Sequence, residues 1–135
     1  SDRFRFETDF SSNETVFLAD LLITDWSSIG FEYTIATKKP ALFINTPMKI
    51  VNRELDINVA DQAEPLDLRL RNIVGKSIEP ANIKSSVVSI VNELLEQSQK
   101  YEQIICEVRE NEIYHFGESA KYSAQYILSQ LAKRG

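Results

Sequence analysis

Residues 19–43, ADLLITDWSSIGFEYTIATKKPALF, set an apolar run at Leu21 to Ile23 against an Asp-x-Ser-Ser turn, a helix-like segment and, after Pro40, a second apolar run. This spacing predicts a strand from Leu21 to Thr24, a helix from Ser27 or Ser28 to Thr37, and a strand from Ala41 to Ile44. Lys38, Lys39 and Pro40 close the helix with charge and a breaker. Continuous apolar strands of this kind suit a parallel sheet covered on both faces. In such a sheet, ligands sit just beyond the carboxyl ends of the strands, where the next helix begins. Asp25, Ser27 and Ser28 fall at that point.

A turn of this composition suits phosphate for a physical reason. The first amides of a helix have no partner inside it, and the summed peptide dipoles place about half a positive charge there. Ser27 or Ser28 can cap the helix, and a hydroxyl left over can donate to a phosphate oxygen. Gly30 removes a side chain that would crowd an approaching ligand. Glu32, four residues after Ser28, shares its helix face and can accept from ribose hydroxyls. The same Asp-x-Ser-Ser sequence is also a plain capping sequence. No glycine-rich Walker or dinucleotide fingerprint occurs in the chain.

The remaining segments extend an alternation of strands and helices, the pattern of an α/β layer structure. Phe4, Phe6 and Thr8 alternate with charged residues and predict a half-exposed strand. Ser12 or Asn13 opens a short helix running through Thr15 to Leu18. The pattern dissolves between Asn45 and Glu64, a length that suggests a functional loop or a mobile flap. Asn45, Thr46 and Lys49 follow a strand end and can reach the same ligand, Lys49 by neutralising a phosphate, although a single lysine is ordinarily solvated. Leu66, Leu68 and Leu70 alternate with Asp67, Arg69 and Arg71, predicting an edge strand or extended segment ending at Gly75, with Arg69 and Arg71 as a basic rim for a diphosphate. Pro80 then opens a helix carrying Ile83, Val87, Ile90, Val91 and Leu94, followed by a second with Tyr101, Ile104, Ile105 and Val108. A last helix, opened near Glu118 or Ser119, carries Ala120, Ala124, Ile127, Leu128 and Leu131 on one face. His115 and Ser119 stand at its entrance, where they can touch a substrate phosphate or hydroxyl, although a lone histidine is more often a packing residue.

Composition bounds the answer. A chain of 135 residues with 43% hydrophobic content buries one core, not two. The net charge of −5 argues against bulk attraction to nucleic acid. One cysteine, Cys106, rules out an internal disulfide and fits a reducing compartment; its apolar neighbours predict a buried thiol. No apolar stretch reaches the length of a membrane span and no signal-like start is visible, so the expected location is the cytoplasm. Neither a Cys/His cluster nor a carboxylate set with ligand spacing is present, so no metal and no cofactor is expected. No Ser, His, acid order points to a nucleophilic hydrolase. The chain begins at Ser1 without methionine, which fits an excised piece of a longer chain.

Taken together, ADLLITDWSSIGFEYTIATKKPALFINTPMK and the later PLDLRLRNIVG resemble the carboxyl-terminal part of the CDP-glycerol glycerophosphotransferase family, of the teichoic acid polymerase type. The resemblance is carried by Ile23, Thr24, Asp25, Trp26, Ser27, Ser28, Phe31 and Glu32, with Trp26 and Glu32 where Tyr and Asp are more usual, and downstream by Phe116 to Ser119. It implies a three-layer, Rossmann-like parallel sheet flanked by helices, the second domain of a GT-B enzyme, with residues 1–135 forming a single donor-binding domain.

It further implies a CDP-glycerol or CDP-polyol donor, an acceptor hydroxyl on a polyol phosphate or glycan, and CMP as the leaving group, in teichoic acid or capsule synthesis. The implied nucleotide site comprises Thr24, Asp25, Ser27, Ser28, Gly30 and Glu32, with Asp25 organising the turn, the serines cradling phosphate and Glu32 meeting ribose or polyol. The general base belongs to the missing N-terminal domain of the same enzyme, so no catalytic residue is assigned, the isolated chain is expected to be inactive, and the full enzyme can sit peripherally at the inner face of the membrane. Two other readings stand beside this one: the donor half of a GT-B nucleotide-sugar glycosyltransferase, and a non-catalytic protein-interaction domain.

Overall fold

The computed structural model describes residues 3–8, 14–47 and 66–133. Among these the chain is α/β, built on a three-stranded parallel sheet of order β1-β2-β3 with helices packed against it. The elements are α1 (Glu14–Leu18), β1 (Leu22–Thr24), α2 (Ile29–Thr37), β2 (Ala41–Ile44), α3 (Leu66–Arg71), β3 (Gly75–Ile78), α4 (Ile83–Glu96), α5 (Ser98–Glu112) and α6 (Ser119–Ala132). A short 3-10 turn, Pro80–Asn82, leads into α4. The parallel sheet, the first two strands, α1, α2, α4, α5 and α6 agree with the sequence reading.

The central strand, β2, is buried along Ala41, Leu42 and Phe43, as its apolar run requires. Leu22, Ile23 and Thr24 pair with Ala41, Leu42 and Phe43, while Gly75 to Ile78 continue the ladder on the other side. α2 lies over the face that carries Thr24 and Phe43, close enough for Phe31 to stack on Phe43 at 5.6 Å. α4 packs on β2 and β3, where Glu93 takes Lys76, the register partner of Leu42. Strand neighbours alternate between faces, so Leu42 and Lys76 point away from α2. The core that results holds Tyr33, Leu42, Phe43, Val74, Leu94 and Ile105, all fully buried.

α2 ends as its sequence requires. Lys38 adopts a left-handed conformation with φ 61° and returns its amide to the Thr34 carbonyl. Pro40 then carries the buried chain straight into β2.

Two sequence expectations differ. Residues 4–8 form no strand, and Phe4 and Phe6 are exposed; alternation alone does not make a strand without a neighbour to pair with. Leu66–Arg71 is helical rather than extended, because Leu66 and Leu70 also match one helix face, and Leu70 and Val74 enter the core. The strand instead starts at Gly75, where a Cβ would collide with the Ala41 carbonyl of β2. The α6 residues Ile127, Leu128 and Leu131 are exposed. Ser12, Asn13 and residues 48–65, including Lys49, lie outside the described residues.

Candidate functional site

The turn between β1 and α2 stands at the carboxyl end of the sheet, as the sequence places it. Asp25 organises it by accepting the Ser27 amide on Oδ1 at 3.2 Å, an Asx turn. Capping by a serine hydroxyl, the sequence expectation, does not occur. Ser28 is the N-cap residue but has helical φ and ψ and makes no side-chain cap bond. Its hydroxyl instead donates to Glu32 Oε1 at 3.1 Å, one turn along the same face.

The first turn of α2 is tightened. The Phe31 and Glu32 amides both donate to the Ser28 carbonyl, at 3.0 and 3.1 Å, and Gly30 donates to the Ser27 carbonyl at 3.3 Å. The donors left at the helix front are therefore the Ser28 and Ile29 amides together with the Ser27 hydroxyl, none of which meets an acceptor among the described residues. Asp25, Ser27, Ser28 and Glu32 are all exposed around this point. An anion seated there would complete the amides and gain from the helix dipole. It would also compete with Glu32 for the Ser28 hydroxyl.

Gly30 has a different reason from the one its position suggests. It is buried, and a Cβ there would come within 2.5 Å of the Phe43 ring and 3.0 Å of Thr24 Cγ2. The glycine lets the helix front sit down on β1 and β2. Thr24 is accordingly a packing partner of α2 on its methyl side.

Behind the turn lies a group that sequence reasoning assigned wrongly. Arg71, at the end of α3, points inward and is only 4% exposed, so it forms no rim. It donates to the Asp25 carbonyl at 2.9 Å and to Asn45 Oδ1 at 3.0 Å. Its guanidinium lies 3.8 Å from the Trp26 ring centroid and 4.6 Å from that of Phe43. Asn45 in turn donates to Glu79 at 2.7 Å, and Trp26 Nε1 donates to the Thr46 carbonyl. The Asn45 side chain is thus engaged by protein on both its oxygen and its nitrogen. Arg69 turns the other way, into a two-pronged pair with Glu112 at 2.8 and 2.9 Å.

His115 and Ser119 are not brought to this turn. Arg109 of α5 donates to the Ile35 and Ala36 carbonyls at the far end of α2 and covers Phe116 at 4.3 Å. The helix between is nine residues long, about 13 Å. His115 stacks on Tyr122 at 3.5 Å, and its carbonyl accepts the Ser119 hydroxyl at 3.2 Å. An open groove of about 420 Å³ lies at this end too, lined by Lys38, Cys106, Arg109, Glu110, Ile113 and Phe116. Cys106 is half-buried rather than enclosed. Lys38 pairs with Glu102 across 3.6 Å. No cluster of His, Cys, Asp and Glu able to hold a metal occurs among the described residues, and no helix among them is long and apolar enough to cross a membrane.

Residues 1–54 match the family model described as CDP-Glycerol:Poly(glycerophosphate) glycerophosphotransferase. The matched part contains α1, β1, the Asp25 to Ser28 turn, α2 and β2. This likeness supports, at a coarse level, a glycerophosphotransferase-type function with a nucleotide donor and an acceptor. No curated protein and no solved structure matches the chain.

Proposed function

We propose that this chain is the donor-nucleotide-binding part of a CDP-glycerol or CDP-polyol phosphate transferase of GT-B architecture, acting in surface-polymer synthesis. The observation that carries the reading is the coincidence of the family match with an exposed helix front where the Ser28 and Ile29 amides and the Ser27 hydroxyl meet no acceptor among the described residues. The diphosphate sits on these donors, Asp25 holds the turn from the side, and Glu32 accepts from a ribose or polyol hydroxyl. Transfer moves a glycerophosphate or polyol phosphate to an acceptor hydroxyl, and CMP leaves.

On this reading the chain's own contribution is to grip the donor and to steady the leaving nucleotide through fixed dipoles. The base that deprotonates the acceptor belongs to another domain, and the full enzyme works in the cytoplasm at the inner face of the membrane. Calorimetric titration of the chain with CDP and with UDP tests the proposal. Binding with preference for CDP supports it, preference for UDP transfers the site to a nucleotide-sugar glycosyltransferase, and no response to either removes nucleotide binding altogether.

A further inference from the structure

Arg71 brings the three strand ends of the sheet into one connected set of bonds. Asp25 follows β1, Asn45 follows β2 and Glu79 follows β3. Arg71 holds the first through its carbonyl and the second through its amide oxygen, and Asn45 passes the connection to Glu79. A buried guanidinium is costly unless its donors and its faces are both satisfied. Here its donors meet oxygens while Trp26 and Phe43 lie against its plane, which is the geometry a planar cation allows and an ammonium does not.

The hold on the Asp25 carbonyl has a directional consequence. In a trans peptide the N–H points opposite to the C=O, and the described chain contains no cis bond. With the Asp25 carbonyl pulled inward to Arg71, the Trp26 amide is turned to the opposite side. The same constraint fixes the start of the turn from which the Ser28 and Ile29 amides follow. Asp25, Glu32 and Glu79 also place three carboxylates at this end of the sheet, where an incoming diphosphate needs a compensating positive charge.

We propose that Arg71 is the positioning residue of this site: a buried cation that sets the peptide plane after β1, and so the aim of the turn's donors at a nucleoside diphosphate, without touching that ligand. The proposal rests on the nucleotide reading of the turn. It assigns the role to the end of α3, an element outside the family match.

The test uses the full chain, CDP as the probe, and Trp26, the sole tryptophan, as an internal reporter. Arg71→Lys keeps the charge and loses the fork. Arg109→Lys is the control, since Arg109 joins two backbone carbonyls at the other end of α2, where Arg71 joins one backbone carbonyl and one side-chain amide oxygen. The expected result is that Arg71→Lys lowers CDP affinity by about tenfold or more and shifts the ligand-free Trp26 emission, whereas Arg109→Lys costs melting temperature without changing affinity. Equal CDP affinity in Arg71→Lys and the unaltered chain overturns the proposal and leaves the nucleotide reading standing. Affinity losses in both variants that track their melting losses overturn it as well. Absence of CDP binding by the unaltered chain overturns both. Should Arg71→Lys fail to fold, Asn45→Ala, which removes one arm of the same set of bonds, is expected to weaken CDP in the same direction, and unchanged affinity there is equally fatal.

Discussion

Ser28 and Glu32 form a hydrogen bond that a ligand would have to rearrange. The Ser28 hydroxyl proton faces Glu32, so the hydroxyl reaches a phosphate only by exchanging one acceptor for another, while Ser27 has no such competitor among the described residues. Replacing both serines by alanine is expected to weaken CDP by about 1–3 kcal/mol if bonds to a charged phosphate are lost; calorimetry reads the value, and unchanged affinity takes the serines out of the site. Glu32→Gln separates two roles of the carboxylate. It removes a like charge, so inorganic pyrophosphate is expected to bind more tightly by roughly 0.2–1 kcal/mol, while CDP, whose ribose exchanges a charged acceptor for a weaker neutral amide oxygen, binds less well. Weaker binding of both ligands would contradict this division. Tyr33 offers a pH signature at the same scale. Burial pushes its phenol up from 10.0 to about 12, with the Asp20 carboxylate adding to the rise. The folded value lies above the unfolded one, so the contribution is fully present below pH 10 and is lost as pH rises through about 12. Denaturation midpoints are expected to fall over that window, and less so in Tyr33→Phe.

At the scale of elements, Gly30 shows how packing overrides propensity. Ala is normally better than Gly in a helix by about 1 kcal/mol, yet Gly30→Ala is expected to destabilise the chain by about 1–3 kcal/mol, because the added methyl meets the enclosed Phe43 ring. A higher melting point in this variant would contradict the contact. Two ion pairs tie elements together: Arg69 to Glu112 links α3 with α5, and Lys76 to Glu93 links β3 with α4. The hydrogen bonds from Arg69 and Lys76 hold the Glu112 and Glu93 carboxyls below their ordinary 4.5. Their folded values are depressed, so the stability they add is present above the ordinary carboxylate range and is lost as pH falls through the lowered values. Glu112→Gln should therefore flatten the acid limb of a pH series of urea midpoints. The first strand, the α2 helix and the second strand were legible because length, apolar runs and breakers agree there. β3 was not, since Gly75, Lys76 and Ser77 carry no strand pattern; only the Val74 and Pro80 boundaries, and the need for a strand between two helices, point to it. Leu66 to Arg71 reads ambiguously because six residues of alternating sequence fit both a strand and a helix face. Arg71 escaped for the same reason: an arginine's inward turn depends on aromatic partners that come from β2 and from the turn after β1.

For the whole molecule, the described part of the family match holds α1, β1, the turn, α2 and β2, while α3, β3, α4 and α5 lie outside the matched part. On the proposed function, the chain binds donor without carrying out transfer. Purified chain given CDP-glycerol and a polyol-phosphate acceptor is expected to release no CMP, and measurable release would contradict the assignment of the base to another domain. Whether the helix front after β1 seats a nucleoside diphosphate is read by following backbone amide resonances during titration with CDP. Seating there is expected to give shifts centred on residues 24–32 and 45–47, largest at Ser28 and Ile29, with the Arg109 end of α2 silent. Shifts gathered instead around Lys38, Arg109 and Phe116, or none at all, would contradict it.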